Sequence, residues 1–190
     1  MKNTTFNRLS AITLLSLTIL LHACKPVCER NPNDPECAGE NELITTLRVT
    51  FTDSATGTAA GTFQFKDADG DGLPEQLDTL RLSANITYLA ELKFLNESVS
   101  PAEDITPNIA AESNDHLIIF STPANSLTFR ITDYDNNTPP LPLGLQSYWR
   151  SASAGSSTVQ ITLRHQPGIK DGTPNPGDTD VEVTFPVQIQ

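Results

Sequence analysis

Val181-Glu-Val-Thr-Phe-Pro-Val-Gln-Ile189, one residue short of the end of the chain, decides the fold class. Val181, Val183, Phe185, Val187 and Ile189 alternate with Glu182, Thr184, Pro186 and Gln188, which puts one set on each face of a strand. Pro186 has no N–H to give a ladder, so an edge position is expected for this strand. The same period of two recurs upstream. Leu47, Val49 and Phe51 alternate with Arg48, Thr50 and Thr52; Phe63 and Phe65 flank Gln64; Ile86, Tyr88, Ala90, Leu92 and Phe94 form one side of a longer run. Leu127, Phe129 and Ile131, then Val159, Ile161 and Leu163, repeat it. Shorter runs at 79–82, 116–121 and 145–150 bring the expectation to about eight or nine strands. Sheets with one buried and one wet face follow, separated by turns rich in Pro, Gly, Asn and Asp. The expected fold is all-β: a two-layer antiparallel sandwich of Ig-like or Greek-key type over residues 42–190.

Only residues 100–112 read as helix. Ser100 is placed to cap it, Pro101 to open it and Glu103 to complete a capping box, while Pro107 keeps it short.

The 190 residues carry 12 basic and 23 acidic side chains, a formal charge of −11. A chain this acidic repels a phosphate backbone, which excludes nucleic acid as a partner. Fourteen Pro, ten Gly and a single Met argue against a helix bundle.

The first 23 residues read as an export signal. Lys2 and Arg8 precede an apolar run, Leu9 to Leu21, that is too short to span a bilayer core of about 30 Å. It ends in Leu21-His22-Ala23-Cys24, which resembles a bacterial lipobox with an unusual spacer at His22. Cys24 is then the lipidation site and the chain a membrane-anchored lipoprotein; ordinary cleavage with Cys24 incidental is the competing reading. Loss of residues 1–23 removes Lys2 and Arg8 and no acid, taking the charge from −11 to −13, which weighs further against any anionic partner. Cys28 and Cys37 remain, and in an exported chain they are expected to pair as a disulfide; two thiolates with no nearby His make a poor zinc site. Residues 24–41 read as a tether. Lys25 after Cys24 argues against inner-membrane retention, so the outer membrane is the expected location.

One motif carries chemistry. In Asp67-Ala-Asp69-Gly-Asp71-Gly72-Leu73-Pro-Glu75-Gln-Leu-Asp78, acids at alternate positions before a sharp turn match the EF-hand loop. The expected Ca²⁺ ligands are Asp67, Asp69, Asp71, the Leu73 carbonyl, Glu75 and Asp78. Asp rather than Glu closes the loop, Pro74 replaces an apolar residue, and the flanks are strands. The reading is therefore a single structural calcium loop and not a sensor, with a solvated acidic turn as its rival. Asp133-Tyr-Asp135-Asn-Asn137 is a fainter echo and reads better as a turn.

His116 and His165 make a transition-metal pair if the fold brings them together; separately, each is a strand-end side chain. Tyr148-Trp149 is either a sugar-stacking platform or part of the core, the core being favoured. No Gly-x-Ser-x-Gly, His-Glu-x-x-His or phosphate-binding glycine loop occurs. A non-enzyme is expected, and a hydrolase would need a cleft holding a nucleophile and base in reach of one another.

Together, Glu42-Leu-Ile-Thr-Thr46, residues 65–72, Glu103-Asp-Ile-Thr106, Thr162-Leu-Arg-His-Gln-Pro167 and Thr179-Asp-Val-Glu-Val-Thr-Phe185 give the chain a likeness to a family. It resembles a group of short Bacteroidota lipoproteins from about residue 40 to the end. Members often carry the label "type 1 periplasmic binding fold", a two-domain α/β structure that the strand periodicity here contradicts. They tend to be encoded beside TonB-dependent outer-membrane receptors. The resemblance supplies no established activity; it implies an envelope accessory that captures or presents a ligand for such a receptor.

Overall fold

Leu47, Val49 and Phe51 alternate in sequence and are all fully buried, and the same holds for Val159, Ile161 and Leu163. These two rows face each other across one core. The computed structural model describes residues 43–190; the expected export signal and tether, with Cys24, Cys28 and Cys37, lie outside the described residues.

The order is β1 (Thr46–Asp53), β2 (Ala59–Lys66), β3 (Gln76–Leu77), β4 (Leu80–Leu82), β5 (Thr87–Asn96), β6 (Glu103–Asp104) and α1 (Thr106–Ala111). Then come β7 (His116–Ser121), β8 (Leu127–Ile131), β9 (Gln146–Ser151), β10 (Gly155–His165) and β11 (Asp178–Ile189). One sheet runs β3-β2-β1-β5-β9-β8, with β6 also on β5; the other runs β4-β11-β10-β7. The all-β sandwich is therefore the observed architecture. Among the described residues all strand pairings are antiparallel except β4 with β11, which is parallel.

The aromatic centre explains why the two layers hold. Trp149 is fully buried, with Phe51, Phe120 and Phe129 edge-on to its ring at 5.2, 5.2 and 4.9 Å. Its Nε1 donates to Ser147 Oγ at 2.8 Å, so the one polar atom of the ring is satisfied. Tyr148, one residue away, points to the other face, as a strand requires. The pair is thus no two-ring platform: Trp149 is core and Tyr148 is surface.

Two local expectations are corrected. The helix begins at Thr106, with Ile105 at its N-cap and Pro107 in its first turn, and not at Ser100 and Pro101. Glu103 and Asp104 instead pair with Asn96 and Leu95 as β6. Pro107 costs nothing in a first turn, where its N–H would be unsatisfied anyway, so it starts the helix and does not interrupt it. Pro186 does not mark an edge strand, because β11 lies between β10 and β4. It faces Thr158 of β10, and the pairing with β4 begins one residue later at Val187. The missing N–H therefore falls where the second neighbour has not yet started.

Candidate functional site

Three places gather functional side chains: the acidic loop after β2, a buried cluster at one end of the sandwich, and an outer-face groove.

In the acidic loop, Asp67, Asp69 and Asp71 bring one carboxylate oxygen each to within 4.8 Å of one another. Each is also engaged by the loop's own backbone. Asp67 accepts from Gly70 N at 2.9 Å and Gly72 N at 3.0 Å, and Asp71 accepts from Leu73 N at 2.7 Å. Gly70 and Gly72 hold φ of 71° and 83°, the left-handed region that such a tight turn demands. Glu75 reaches back to Ala68 N at 2.8 Å. Asp78 turns toward the neighbouring strand, where it accepts from Gln64 N at 2.8 Å and from Gln76 Nε2. The structure thus draws three of the six expected ligand residues into one group. The Leu73 side chain is exposed, and its backbone N–H faces Asp71.

The echo at 133–137 is a turn, as read from the sequence, and one with a buried anchor. Asp133 accepts from Gly144 N, Leu145 N and Gln146 N at 2.8–3.1 Å. Asp135 accepts from Leu141 N and Asn137 N and pairs with Lys170 Nζ at 3.0 Å, both side chains almost fully buried. Burial alone would raise the Asp135 carboxyl; the hydrogen bonds from Leu141, Lys170 and Asn137 outweigh it and hold the group below its ordinary value.

The buried cluster is built by register. His165 ends the inward row of β10 and lies directly opposite His116, the first residue of β7. Their rings stack at 4.8 Å with planes 10° apart, and both residues are buried. The structure therefore brings the two histidines together. His116 Nδ1 lies 3.1 Å from the Glu112 carbonyl, which can only accept, so Nδ1 carries a proton and Nε2 points away. Nε2 faces Asp180 Oδ2 at 3.6 Å, and neither side chain is exposed. Asp180 was not legible as a site residue because it lies in a register shift. Leu163 pairs with Val181 and Arg164 with Thr179, which leaves Asp180 as the extra residue of a bulge. A bulge re-aims a side chain that strict alternation would turn outward. Gly177, at φ 75°, closes the turn against the site; a Cβ there would meet the His165 carbonyl oxygen at 2.0 Å.

The groove lies on the outer face of the larger sheet, an open volume of about 380 Å³ walled by Arg130, Tyr148 and Arg150 over Thr87 and Thr128. The Arg130 guanidinium stacks on the Tyr148 ring at 4.5 Å. Arg150 touches only uncharged oxygens among the described residues, those of Asn85 and Thr87 at 3.4 Å. By contrast Arg48 and Lys66 share Glu97, and Lys93 pairs with Asp104.

No family model, no curated protein and no solved structure matches this chain. Among the described residues no helix is long and apolar enough to cross a membrane.

Proposed function

We propose that this chain is a non-catalytic lipoprotein of the cell envelope, anchored at Cys24 to the outer membrane, whose sandwich captures an anionic ligand for a TonB-dependent outer-membrane transporter. The observation that carries the ligand part is the Arg130–Tyr148–Arg150 groove: two guanidinium groups without a carboxylate partner among the described residues, a local basic site that runs against the acid excess from which the sequence argued against anionic partners. Guanidinium forks suit carboxylate or phosphate oxygens, and the Tyr148 ring supports the Arg130 fork by stacking. The anchor rests on the apolar run ending at Cys24, and the transporter on the family resemblance. Calcium at the Asp67–Asp78 loop is the structural cofactor of this reading, and a disulfide between Cys28 and Cys37 stiffens its tether.

The test is affinity purification of the full chain from detergent-solubilised membranes, beside an Arg130→Ala/Arg150→Ala variant. The expected result is recovery of an outer-membrane receptor and radiolabelled palmitate on Cys24. Recovery of no outer-membrane protein removes the transporter reading, and an unlabelled Cys24 removes the anchor. A second reading, transition-metal binding through His116 and His165, gains support from their stacking in space.

A further inference from the structure

The buried end of the sandwich holds polar atoms that the protein leaves unanswered. His116 Nε2 and both carboxylate oxygens of Asp180 are buried without a hydrogen-bond partner among the described residues. A carboxylate in that position pays the full cost of leaving water unless a cation or donor meets it. The 3.6 Å between His116 Nε2 and Asp180 Oδ2 is too long for a hydrogen bond. It is, however, the span of two metal bonds of about 2.0–2.1 Å that meet at roughly 120°.

The surroundings favour the same occupant. The Glu112 carbonyl takes the Nδ1 proton of His116, which fixes the tautomer with the Nε2 lone pair toward Asp180. Histidine ligands of metals are oriented in this way, by a carbonyl or carboxylate on the far nitrogen. His165 stacks alongside, and a carboxylate oxygen of Glu112 and one nitrogen of each histidine lie within 4.8 Å of one another. Glu112 is half-buried and therefore offers the solvent side of the cluster. Asp180 is not one of that trio and adjoins it at His116 Nε2. Imidazoles joined by carboxylates suit zinc and its neighbours and are too nitrogen-rich for calcium.

We propose that His116 and Asp180, joined by His165 and with Glu112 at the entrance, form a binding site for a divalent transition metal of the zinc type. The ion bridges His116 Nε2 and Asp180, and the His165 ring rotates out of its stack to supply the third ligand. The site ties β7, β10 and β11 together at the end of the sandwich. It sharpens the histidine reading above into a ligand set and depends on neither the groove nor the membrane anchor.

The experiment uses the full chain in detergent, stripped with EDTA and dialysed, then titrated with Zn²⁺ by calorimetry and with Co²⁺ as an optical probe. The expected result is one ion per chain at micromolar affinity or tighter, with the visible bands of four- or five-coordinate Co²⁺. Asp180→Asn and His116→Gln are expected to weaken binding by more than the roughly 10- to 100-fold typical of an outer-shell change. Cys28→Ser/Cys37→Ser and Asp71→Asn leave it unchanged, which separates this site from the cysteine pair and the acidic loop. Circular dichroism in EDTA checks that each variant folds; if His116→Gln does not, the near-isosteric Asp180→Asn decides. No uptake by the stripped wild type, unchanged affinity in Asp180→Asn, or loss only in the cysteine variant overturns the proposal, and the cluster is then a structural His–Asp pair.

Discussion

The loops 67–78 and 133–142 look like versions of one device, yet the molecule uses them differently. Both follow a strand of the larger sheet, and both place aspartates at alternate positions before backbone amides. In the first, the carboxylates stand at the surface and fold the loop around themselves, each accepting from an amide a few residues away. In the second, Asp133 reaches amides 11 to 13 residues on, and Asp135 meets a lysine from another loop. Lys170 also donates to the Ser113 carbonyl at 2.8 Å, so this contact joins three segments. The same residue type at the same spacing makes a local turn in water and a tertiary anchor when buried. The difference lies in desolvation, which makes a paired charge costly to unpair.

Four experiments probe that contrast, beginning with the largest effect. Lys170→Met leaves Asp135 buried without its cation and is expected to cost about 3 kcal/mol in urea unfolding. A loss under about 1 kcal/mol would mean that the Leu141 and Asn137 amides alone suffice to hold the charge. Asp133→Ala strips three amides of their acceptor and is expected to cost about 2–3 kcal/mol by the same measurement. A surface-like value would erase the distinction between the loops.

Acid probes the contrast without mutation. Burial opposes ionisation of Asp135 and of Asp104, but hydrogen bonds from Leu141, Lys170 and Asn137 in the first, and from Lys93 and Thr106 in the second, hold both below the ordinary carboxyl value. A carboxyl lowered on folding contributes stability that is fully present above its unfolded value of about 3.9 and is lost as pH falls through the folded one. The melting temperature is therefore expected to drop on acidification below about pH 4, and less steeply in Asp135→Asn. Equal slopes would remove Asp135 from the cause.

The smallest effect belongs to the exposed loop. Asp71→Asn in EDTA is expected to change stability by no more than about 0.5 kcal/mol. Calcium in excess of its dissociation constant, expected at about 10⁻⁴ to 10⁻³ M for such a loop, should raise the melting temperature of the wild type but not of this variant. A calcium shift that persists in Asp71→Asn would place the ion elsewhere.

Most strands were legible because their signal is local. A half-buried strand must alternate, and in the final strand Val183, Phe185, Val187 and Ile189 are buried as their spacing foretells. The two-residue strands β3 and β6 were not legible, since two residues carry no period. The start of α1 was misread because a capping pattern at residues 100–103 competes with sheet pairing, and the pairing of Asp104 with Leu95 wins through contacts distant in sequence. For the candidate sites, the acidic loop was visible since its ligands lie within twelve residues. The pairing of His116 with His165 could be named only as a condition.

Alternation and turn chemistry, written within a few residues, determined by themselves that this chain makes sheets, where they turn, and where an acidic loop falls. Which sheet each strand joined, and so which histidine met which, depended on hydrogen bonds between residues dozens of positions apart. Asp180 is the sharpest case. By alternation it belongs on the outside of β11, and only the bulge opposite Leu163 and Arg164 turns it inward to His116. Register is a property of two strands together, so neither strand's sequence contains it alone.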